Sequence, residues 1–503
     1  MCAVTTDSTP LPSLRAQTRK SSRFDDAKRV NLPRERNTSS CSGDGGLQSA
    51  MTMKSGKVVR FGAITLPASK SESNRALMIA AYGGFAPDFQ NLSDSKDTLV
   101  LKKALLTIDA LAPSVARQDM VNNEDFRHVI PSREASVSVP KNTQQIIDIA
   151  DCGTAARFLT TYLACHEGEW LLTGTDRMKQ RPMAPLVDAL RSLGADIQYT
   201  EKEGNLPLRI QGKPIAGGKV SIDASVSSQF VSSLLLAAPM WPQGLELELN
   251  GNTSSVPYLD MTLSILCHFS AHAERHGEVI TVKPQPYVKQ SFVVEPDWSA
   301  ASYWYEMAAF SEECEIRLKG LGGSAAPRYA PSAAHVMPTD EGRSASTCCL
   351  SRFDINASSC WQGDTVIAEW MAPLGVETFV EGEDIVLRKI PSEKRPLQFD
   401  FFNHPDLYPT LAATCAGLGV EARFTGLDNL HLKESDRVVA MQEELAKVQD
   451  PKIHFCSHDD HRIVMALAPL SMLVGPVAFD QPEVVEKSYP NFWKDTVFLP
   501  IHE

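Results

Sequence analysis

The sequence lacks the cysteine spacing of a metal site or a disulfide framework. Its 11 cysteines form no Cys-x-x-Cys pair, and their number is odd. Both features argue against a zinc ribbon and a disulfide-stapled domain, and they favour a reducing compartment such as the cytoplasm. The longest apolar runs, such as residues 234–241, are far shorter than the roughly 20 residues that span a membrane. We therefore expect no membrane partner.

Positive charge is also scarce. The chain has 49 Lys and Arg against 61 Asp and Glu, which gives a formal net charge of −12. Because non-specific nucleic-acid binding requires a net basic surface, nucleic acid is not an expected partner. An anionic small molecule stays open, since its site requires only a local cluster of cations. The phosphate loop Gly-x-x-x-x-Gly-Lys-Ser/Thr and the nucleophile elbow Gly-x-Ser-x-Gly are missing too.

The first fifty residues contain few apolar side chains and are rich in Ser, Thr and Arg. They lack the apolar core of a signal peptide. We interpret residues 1–53 as a disordered leader. A plastid transit peptide is the alternative, but Asp25, Asp26, Glu35 and Asp44 argue against it, because such peptides are poor in acidic residues.

Six segments share one pattern, in which small polar residues precede an apolar run with the 3.6-residue period of a helix. They begin near residues 69, 153, 226, 298, 405 and 460. A second amphipathic run and short β-branched segments follow, as in residues 186–194 and 220–223. This alternation predicts an α/β fold of six βαβ-like units, three in each half of the chain.

The spacing of these starts is uneven. Successive starts lie 84, 73, 72, 107 and 55 residues apart. The long intervals predict insertions at 112–142 and 323–360, which lack clear periodicity, because long structureless loops are uncommon inside compact domains. The 55-residue interval is short, and residues 447–459 leave room for little more than one strand.

Cations recur in the first turns of the predicted helices. Lys70 and Arg75 lie in the first such turn, and Arg157 lies in the second. Helix N-termini bind phosphates and carboxylates, because their N–H groups are unpaired and carry partial positive charge. One such start is more often a capped helix with a solvated arginine. The recurrence favours a shared anion site.

Two further segments gather charges before a helix. Residues 177–181 contain three cations, and Glu434 lies next to Lys433 and three residues before Arg437. A carboxylate among cations is suited to acid–base chemistry. The alternatives are a basic surface loop and an exposed, charged helix start.

The segment His458-Asp459-Asp460-His461 contains residue types that bind metals. Four nearly consecutive side chains do not point at one ion in regular structure. We therefore predict no metal site.

Nine short motifs, spread in order over residues 54–498, resemble those of the 5-enolpyruvylshikimate-3-phosphate synthase family. Each motif is weak alone, but nine in the family's order are highly specific. They are Ser69-Lys-Ser-Glu-Ser-Asn-Arg75, Cys152-Gly-Thr-Ala-Ala-Arg157, Arg177-Met-Lys-Gln-Arg-Pro182, Ser225-Val-Ser-Ser-Gln229, Val256-Pro-Tyr258, Asn403-His-Pro-Asp406, Leu432-Lys-Glu-Ser-Asp-Arg437, Asp460-His-Arg462 and Lys487-Ser-Tyr-Pro490.

The resemblance implies an α/β fold of two domains, each with three βαβαββ-type units arranged with pseudo-threefold symmetry. The chain of this family crosses between the domains twice. Carried over, one domain comprises residues 69–295, and the other comprises 54–68 together with 296–503. The active site would lie in the cleft between them.

The implied reaction moves the enolpyruvyl group of phosphoenolpyruvate to the 5-hydroxyl of shikimate 3-phosphate and releases phosphate. This is a step towards chorismate and the aromatic amino acids. Both partners are small molecules that carry phosphate and carboxylate groups. The resemblance implies no metal, no organic cofactor and a monomeric enzyme.

Matching positions also imply the site residues. Asp406 corresponds to the base at the hydroxyl, and Glu434 with Lys70 to the proton-transfer group at the methylene carbon. The implied contacts of shikimate 3-phosphate are Lys70, Ser71, Arg75, Ser227, Ser228, Ser255, Asp406, Asn429 and Lys433. The implied contacts of phosphoenolpyruvate are Lys70, Gly153, Arg177, Gln229, Arg437, Arg462 and Lys487.

The chain departs from the family at several places. Asp151 stands where the family often has Asn or a small residue, and a carboxylate there is expected to weaken phosphate binding. The short interval before Asp460 predicts missing or compressed strands. With the two insertions, these departures put the activity of this chain in question more than its ancestry.

Two rival functions remain open. One is the UDP-N-acetylglucosamine enolpyruvyl transferase, which shares the fold, but its usual catalytic-loop cysteine has no counterpart here. The other is a catalytically impaired homologue that binds anions. A pure binding protein would not need both Asp406 and Glu434, so we favour catalysis.

Overall fold

The computed structural model of the chain describes residues 58–111, 144–323, 361–392, 395–449, 452–497 and 499. The predicted leader 1–53, the predicted insertion 112–142 and nearly all of the predicted insertion 323–360 lie outside these residues. Of the helices within this part of the chain, none is long and apolar enough to cross a membrane.

The described residues form helices and strands that alternate along the chain. The strands are β1 (Val58–Ile64), β2 (Asp88–Gln90), β3 (Gln145–Asp148), β4 (Gly168–Thr173), β5 (Asp196–Tyr199), β6 (Leu208–Gly212), β7 (Gly218–Asp223), β8 (Leu245–Asn250), β9 (Ala273–His276), β10 (Val279–Val282), β11 (Ser291–Val293), β12 (Glu313–Leu318), β13 (Val376–Glu381), β14 (Asp384–Lys389), β15 (Leu397–Asp400), β16 (Ala422–Thr425), β17 (His454–Phe455) and β18 (Ala478–Phe479). The helices are α1 (Lys70–Gly83), α2 (Lys96–Leu111), α3 (Gly153–Cys165), α4 (Ala184–Ser192), α5 (Ser228–Ala237), α6 (Val256–His268), α7 (Trp298–Phe310), α8 (Ile367–Met371), α9 (Tyr408–Leu418), α10 (Arg437–Ala446), α11 (His461–Leu467), α12 (Ser471–Val474) and α13 (Phe492–Asp495).

The second and third units show the complete repeat. The second runs β3-α3-β4-α4-β5-β6, and its sheet has the order β3-β4-β6-β5, with β3 and β4 parallel and the other pairs antiparallel. The third repeats this pattern in the order β7-β8-β10-β9. Along β8, Leu245, Leu247 and Leu249 are buried and the residues between them are exposed, because successive side chains point to opposite faces of a sheet.

The first and fourth units exchange their first strands. β1 pairs in parallel with β12, with Ile64 opposite Leu318, and completes the fourth sheet in the order β1-β12-β14-β13. In the other direction, β11 follows the third unit and pairs in parallel with β2, with Phe292 opposite Phe89. The chain therefore crosses twice between the two halves of the molecule, and the predicted α/β fold of two three-unit domains is confirmed.

The fifth unit is short. It contains the parallel pair β15-β16 and the helices α9 and α10, but the described residues between α10 and β17 form only a 3-10 turn at Lys447–Gln449. The second, third and fourth units have an antiparallel strand pair at this position. This difference is the structural counterpart of the 55-residue interval.

Two hydrophobic cores divide the molecule. One contains residues between Ala68 and Val294, and the other contains Leu66 and residues between Trp298 and Leu499. In each core the first helices of the three units pack on one another, α1 with α3 and α5 in the first domain and α7 with α9 and α11 in the second. These six inner helices are buried nearly all round, including polar residues of their first turns, and their later turns are mostly apolar.

The two crossing segments lie side by side. The Ser69 N–H donates to the Glu295 carbonyl at 2.7 Å, and the Asp297 N–H donates to the Pro67 carbonyl at 2.9 Å. These bonds bring the starts of α1 and α7 together, one from each domain. These two segments are the covalent connections between the domains, and we call the pair the hinge.

Residues just after the predicted insertion 323–360 brace this hinge. The Gln362 Nε2 donates to the buried Glu72 carboxylate of α1 at 2.8 Å, and Gln362 Oε1 accepts from the Trp298 N–H of α7 at 2.9 Å. Trp361 stacks on Phe292 of β11, with ring centroids 5.0 Å apart. The second-domain segment thereby contacts both sides of the hinge.

A buried carboxyl group lies in the second core. Glu306 of α7 is 0% exposed, and neither of its carboxyl oxygens has a hydrogen-bond partner among the described residues. Burial raises the pKa of Glu306 well above its ordinary value. The folded chain thus keeps the acid protonated at pH values where the unfolded chain has lost the proton.

This carboxyl group predicts a pH-dependent stability. Its contribution is fully present below the ordinary pKa of 4.5 and is lost as the pH rises towards the higher folded value. Glu306→Gln removes this loss, so we expect the variant to unfold about 2–6 °C above the wild type at pH 7.5 and at nearly the same temperature at pH 4. Scanning calorimetry at both pH values measures the difference.

Glu313→Gln, at an exposed glutamate of β12, is the matched control and should unfold like the wild type at both pH values. A stabilisation by Glu306→Gln of equal size at pH 4 and pH 7.5 would show that the carboxyl group does not titrate between them.

Candidate active site

A cavity lies between the two domains. Fourteen of the residues predicted from the sequence line it. They are Lys70, Ser71, Arg75, Gly153, Ser227, Ser228, Gln229, Ser255, Asp406, Asn429, Lys433, Glu434, Arg437 and Arg462.

The inner helices of the first domain begin at this cavity. Ser69 Oγ caps α1 by accepting the Glu72 N–H at 3.4 Å, and Ser227 Oγ accepts the Gln229 N–H of α5 at 3.3 Å. The first turns therefore present backbone N–H groups and the positive ends of helix dipoles to the cavity. Such an arrangement favours anionic ligands.

Gly153, at the start of α3, leaves room for cations. A Cβ built on this residue would lie 2.7 Å from Arg181 Nη1 and 2.8 Å from Arg157 Nη1. Because real contacts of a Cβ are longer, a larger residue would displace these guanidinium groups. The glycine thus permits Arg181 to reach the cavity wall.

Arg75 is fixed in the wall by neutral partners. Its Nε donates to Thr262 Oγ1 at 2.8 Å, and its Nη1 donates to the Ser71 carbonyl at 2.9 Å. Burial lowers the pKa of Arg75 to about 10, so it stays charged at neutral pH. This positive charge, 3% exposed and hydrogen-bonded to neutral groups, attracts anions to the part of the cavity lined by serines.

Arg437 joins three carboxylates of the second domain. Its guanidinium donates to Asp406 Oδ1 at 2.8 Å, to Glu434 Oε2 at 3.1 Å and to Asp460 Oδ2 at 2.8 Å. The side chain is 1% exposed. Burial by itself would lower the pKa of Arg437, but Asp460, Asp406 and Glu434 raise it above its ordinary value. The arginine is permanently charged and orients all three acids.

Asp406 lies between two arginines. Besides Arg437, it accepts a hydrogen bond from Arg462 Nη2 at 2.7 Å and from the Tyr258 hydroxyl at 3.1 Å. Burial would raise its pKa, but Arg462, Lys433 and Arg437 hold the pKa well below its ordinary value. With these partners Asp406 is a carboxylate and a weak base.

Glu434 has a similar surrounding. Its carboxylate lies 3.6 Å from Arg181 Nη1 of the first domain and 3.1 Å from Arg437 Nη2. Burial would raise the pKa of Glu434, but Arg181 and Arg437 lower it well below its ordinary value. Burial also lowers the pKa of the adjacent Lys433, against the attraction of Asp406. Two carboxylates among buried cations are the groups that acid–base chemistry requires.

Two residues predicted for the site have other partners. Arg177 donates to the carbonyl groups of Glu434 at 2.7 Å and Lys433 at 2.8 Å, so it ties the first domain to the loop that carries these residues. The Lys487 Nζ donates to Asp151 Oδ2 at 2.7 Å. Neither Arg177 nor Lys487 is among the described residues that line the cavity.

Sequence reasoning missed Arg181 as a site residue. It is 9% exposed and lines the cavity, whereas Arg177 of the same basic loop does not. A 3-10 turn at Met178–Gln180 separates the two arginines and sends them in different directions. The three cations of residues 177–181 indicate a basic loop, but the sequence does not show which of them faces the cavity.

Several other lining residues were also not predicted. Asp97, in the first turn of α2, accepts a hydrogen bond from the Lys70 Nζ at 2.9 Å across 27 residues of sequence. No local pattern indicates such a pair. The remaining unpredicted residues of the wall are Thr154, Val226, Ser254, Tyr258, Asp297, Ser299 and His461.

His458 and Asp460 of the segment 458–461 contact different groups. His458 Nε2 contacts Glu444 at 2.9 Å, and Asp460 binds Arg437 in the cavity wall. Among the described residues, one group of three potential metal ligands lies close together, namely Glu443, Glu444 and His458. The Lys447 Nζ donates to Glu444 Oε2 at 2.7 Å, and Glu443, Glu444 and His458 do not line the cavity.

Solved structures identify the fold. The fold is similar to that of an EPSP synthase from Acinetobacter baumannii, with a TM-score of 0.56 and 20% identity over 88% of this chain and 96% of that one. It is also similar to the enolpyruvyl transferase NikO from Streptomyces tendae, with a TM-score of 0.55 and 14% identity over 87% and 94% of the two chains. The chain has the enolpyruvyl transferase fold.

Sequence comparisons define the family. The family model of EPSP synthase (3-phosphoshikimate 1-carboxyvinyltransferase) matches residues 56–328 and 354–496. A 3-phosphoshikimate 1-carboxyvinyltransferase of Bacteroides fragilis strain YCH46 is 37% identical over 453 residues, which are 86% of this chain and 93% of that protein. One from Methanoculleus marisnigri is 33% identical over 377 residues, 71% and 80% of the two chains. The chain belongs to the EPSP synthase family.

The family model also bears on the irregular segments. It leaves residues 329–353 unmatched, and these lie inside the predicted insertion 323–360, whereas its match runs through 112–142 without a break.

The geometry predicts that Arg181 contributes to anion binding. We expect Arg181→Met to weaken the binding of inorganic phosphate by about tenfold or more, because it removes a charged hydrogen-bond donor and leaves Glu434 with one cation fewer. Isothermal titration calorimetry measures the affinity. Arg209→Met, which removes a surface arginine paired with Glu169, is the control, and equal affinities of the two variants would contradict the assignment.

Proposed function

We propose that the chain transfers the enolpyruvyl group of phosphoenolpyruvate to the 5-hydroxyl of shikimate 3-phosphate and releases inorganic phosphate. The observation that carries this proposal is the convergence of cations from both domains around two fixed carboxylates, Asp406 and Glu434. Both substrates are polyanions with phosphate and carboxylate groups. A cleft of this composition matches the pair, although the protein as a whole is acidic.

Shikimate 3-phosphate would bind to the side of the cavity built from α1, α5 and the start of α6. Hydroxyl groups of Ser71, Ser227, Ser228 and Ser255 are available there, with Arg75 behind them. Asn429 of the second domain already donates to Ser254 Oγ at 2.9 Å, so it reaches the same side. Sugar-like hydroxyl groups and a phosphate require this mixture of neutral and cationic donors.

Phosphoenolpyruvate would bind against Lys70, Arg181, Arg437 and Arg462. When its phosphate and carboxylate contact these cations, the cations share their charge with the ligand. The pKa values of Asp406 and Glu434 then rise from their depressed values, because the same cations depress them in the unliganded site. Substrate binding would thus turn two weak bases into groups able to exchange protons.

The reaction would proceed by addition and elimination. In the addition, Asp406 takes the proton of the 5-hydroxyl while the hydroxyl oxygen forms a bond to C2 of phosphoenolpyruvate. Glu434 with Lys70 delivers a proton to C3. In the elimination, C3 returns its proton, the C2–O bond to phosphate breaks, and the double bond forms again. General acid–base steps of this kind contribute roughly 10²–10⁴-fold each.

Domain closure would accompany binding. We propose the boundaries predicted from the sequence, with one domain at 69–295 and the other at 54–68 and 296–503, joined at the hinge formed by the crossing segments. Closure excludes water and strengthens the electrostatic interactions within the cleft. Contacts across the cleft, such as Arg177 with the Glu434 carbonyl, support this arrangement.

The catalytically impaired homologue is the main alternative. The shortened part of the fifth unit lies between α10, which begins with Arg437, and α11, which follows Asp460. The contact between Arg437 and Asp460 is nevertheless 2.8 Å, and both proton-transfer candidates remain in the cavity wall. These contacts favour a competent site. We also propose a monomer that acts in the cytoplasm.

The proposal is tested by the release of phosphate from phosphoenolpyruvate. We expect the purified chain to release phosphate only when shikimate 3-phosphate is present, and UDP-N-acetylglucosamine should not replace it. Release that requires UDP-N-acetylglucosamine would establish the rival transferase, and no acceptor-dependent release would contradict the enzymatic proposal.

The two carboxylates give a second prediction. Asp406→Asn and Glu434→Gln should lower kcat by about 10²-fold or more while calorimetry still detects binding of shikimate 3-phosphate, since each change removes a proton acceptor and keeps the shape of the side chain. Glu443→Gln, at an exposed position of the neighbouring helix, is the matched control and should keep the wild-type rate. A near-wild-type kcat in either variant would remove that residue from the mechanism.

A further inference from the structure

Lys487 belongs to the second domain but is held by carboxylates of the first. It ends the 3-10 helix Pro482–Lys487, and its side chain is 4% exposed. Its Nζ lies 2.7 Å from Asp151 Oδ2, 3.0 Å from the Asp151 carbonyl and 3.1 Å from Asp97 Oδ1. The Lys487 side chain therefore joins the two domains, and its ammonium group is bound by carboxylates of the protein.

The local charges are balanced. Asp97 contacts two lysines, Lys70 at 2.9 Å and Lys487 at 3.1 Å, and Asp151 supplies the second negative charge. Burial would lower the pKa of Lys487, but Asp97, Glu434 and Asp151 raise it above its ordinary value. The lysine is always charged, and an anion that approaches it meets two lysines and two aspartates with no net charge.

The two aspartates differ in freedom. The Asp97 side chain is 4% exposed and is fixed by Lys70. The Asp151 side chain is 33% exposed, and Lys96 at 3.9 Å is its other cation. A partly solvated carboxylate can turn towards water when a stronger anion takes its partner, whereas a buried one cannot without a large desolvation cost. Asp151 is thus the replaceable partner of Lys487.

We propose that Asp151 determines the affinity of the site for phosphoenolpyruvate. Its carboxylate is an internal anion that binds Lys487, and the substrate must displace it. This inference rests on the proposed function and on Lys487, which the family resemblance implies as a phosphoenolpyruvate contact and whose Nζ lies 3.1 Å from the cavity-lining Asp97. It assigns to Asp151 no part in proton transfer. Asp151 acts only through Lys487.

The substitution Asp151→Asn tests the proposal. The amide oxygen still accepts a hydrogen bond from Lys487, so the tie between the domains is kept, but the competing charge is lost. We expect the KM for phosphoenolpyruvate to fall roughly three- to fivefold, with a smaller change in kcat, because ion pairs that reach solvent couple weakly. Asp94→Asn, at an exposed aspartate, removes the same charge and should leave the KM unchanged.

A double-mutant cycle separates this role from a structural one. In a Lys487→Met background, which should itself raise the KM, Asp151→Asn should have no effect on the KM, because the competed ammonium is gone. An equal fall in both backgrounds, or no fall in the Lys487-containing chain, would overturn the proposal.

The same four proteins, titrated with phosphoenolpyruvate by calorimetry, report the coupling independently of turnover. One outcome is that the wild type releases no phosphate while Asp151→Asn changes the affinity for phosphoenolpyruvate only when Lys487 is present. This result would contradict the proposed function and keep the inference. Equal affinities of all four proteins would contradict the inference alone, provided that the wild type turns over.

Discussion

The guanidinium group of Arg437 is the interaction on which the second half of the site depends. It is almost fully buried and holds Asp406, Glu434 and Asp460, which lie before or at the starts of α9, α10 and α11. An isolated charge at this depth would be strongly unfavourable, and each carboxylate alone would be as well. Together they satisfy one another, and the network fixes where three helix starts point. The geometry of the active site and the packing of the fifth and sixth units therefore depend on the same network of ion pairs.

The unliganded cleft balances its own charge. Asp406 partners Arg437 and Arg462, Glu434 partners Arg181, and Asp97 and Asp151 partner Lys70 and Lys487. Each of the four cations proposed to bind phosphoenolpyruvate, Lys70, Arg181, Arg437 and Arg462, already has a carboxylate beside it. Binding would exchange partners instead of bringing together separated side chains, so little reorganisation is required. The same exchange links substrate binding to the basicity of the two proton-transfer candidates.

Sequence reasoning predicted the class of fold and most of the cavity wall. The recurring helix starts revealed six units, because small polar residues precede an apolar run with helical period in each of them. The strand exchange between the first and fourth units came only from the family resemblance, since pairing of β1 with β12 leaves no local pattern. Among side chains, the choice between Arg181 and Arg177 depends on one 3-10 turn, and the pairing of Asp97 with Lys70 depends on tertiary packing. Glu306 was not predicted as buried, because nothing near it in sequence identifies a helix without a solvent face.

The exchanged first strand also sets the order in which the protein can be made. Ile64 of β1 pairs opposite Leu318 of β12, 254 residues later in the chain. At synthesis rates of about 5–20 residues per second, β1 would wait roughly 13–50 s for its partner, while the whole first domain is synthesised. During this time an unpaired strand edge precedes a domain that can already fold, and such edges associate with other chains. Completion of the fourth unit therefore depends on the earliest described strand remaining unpaired until the chain has passed β12.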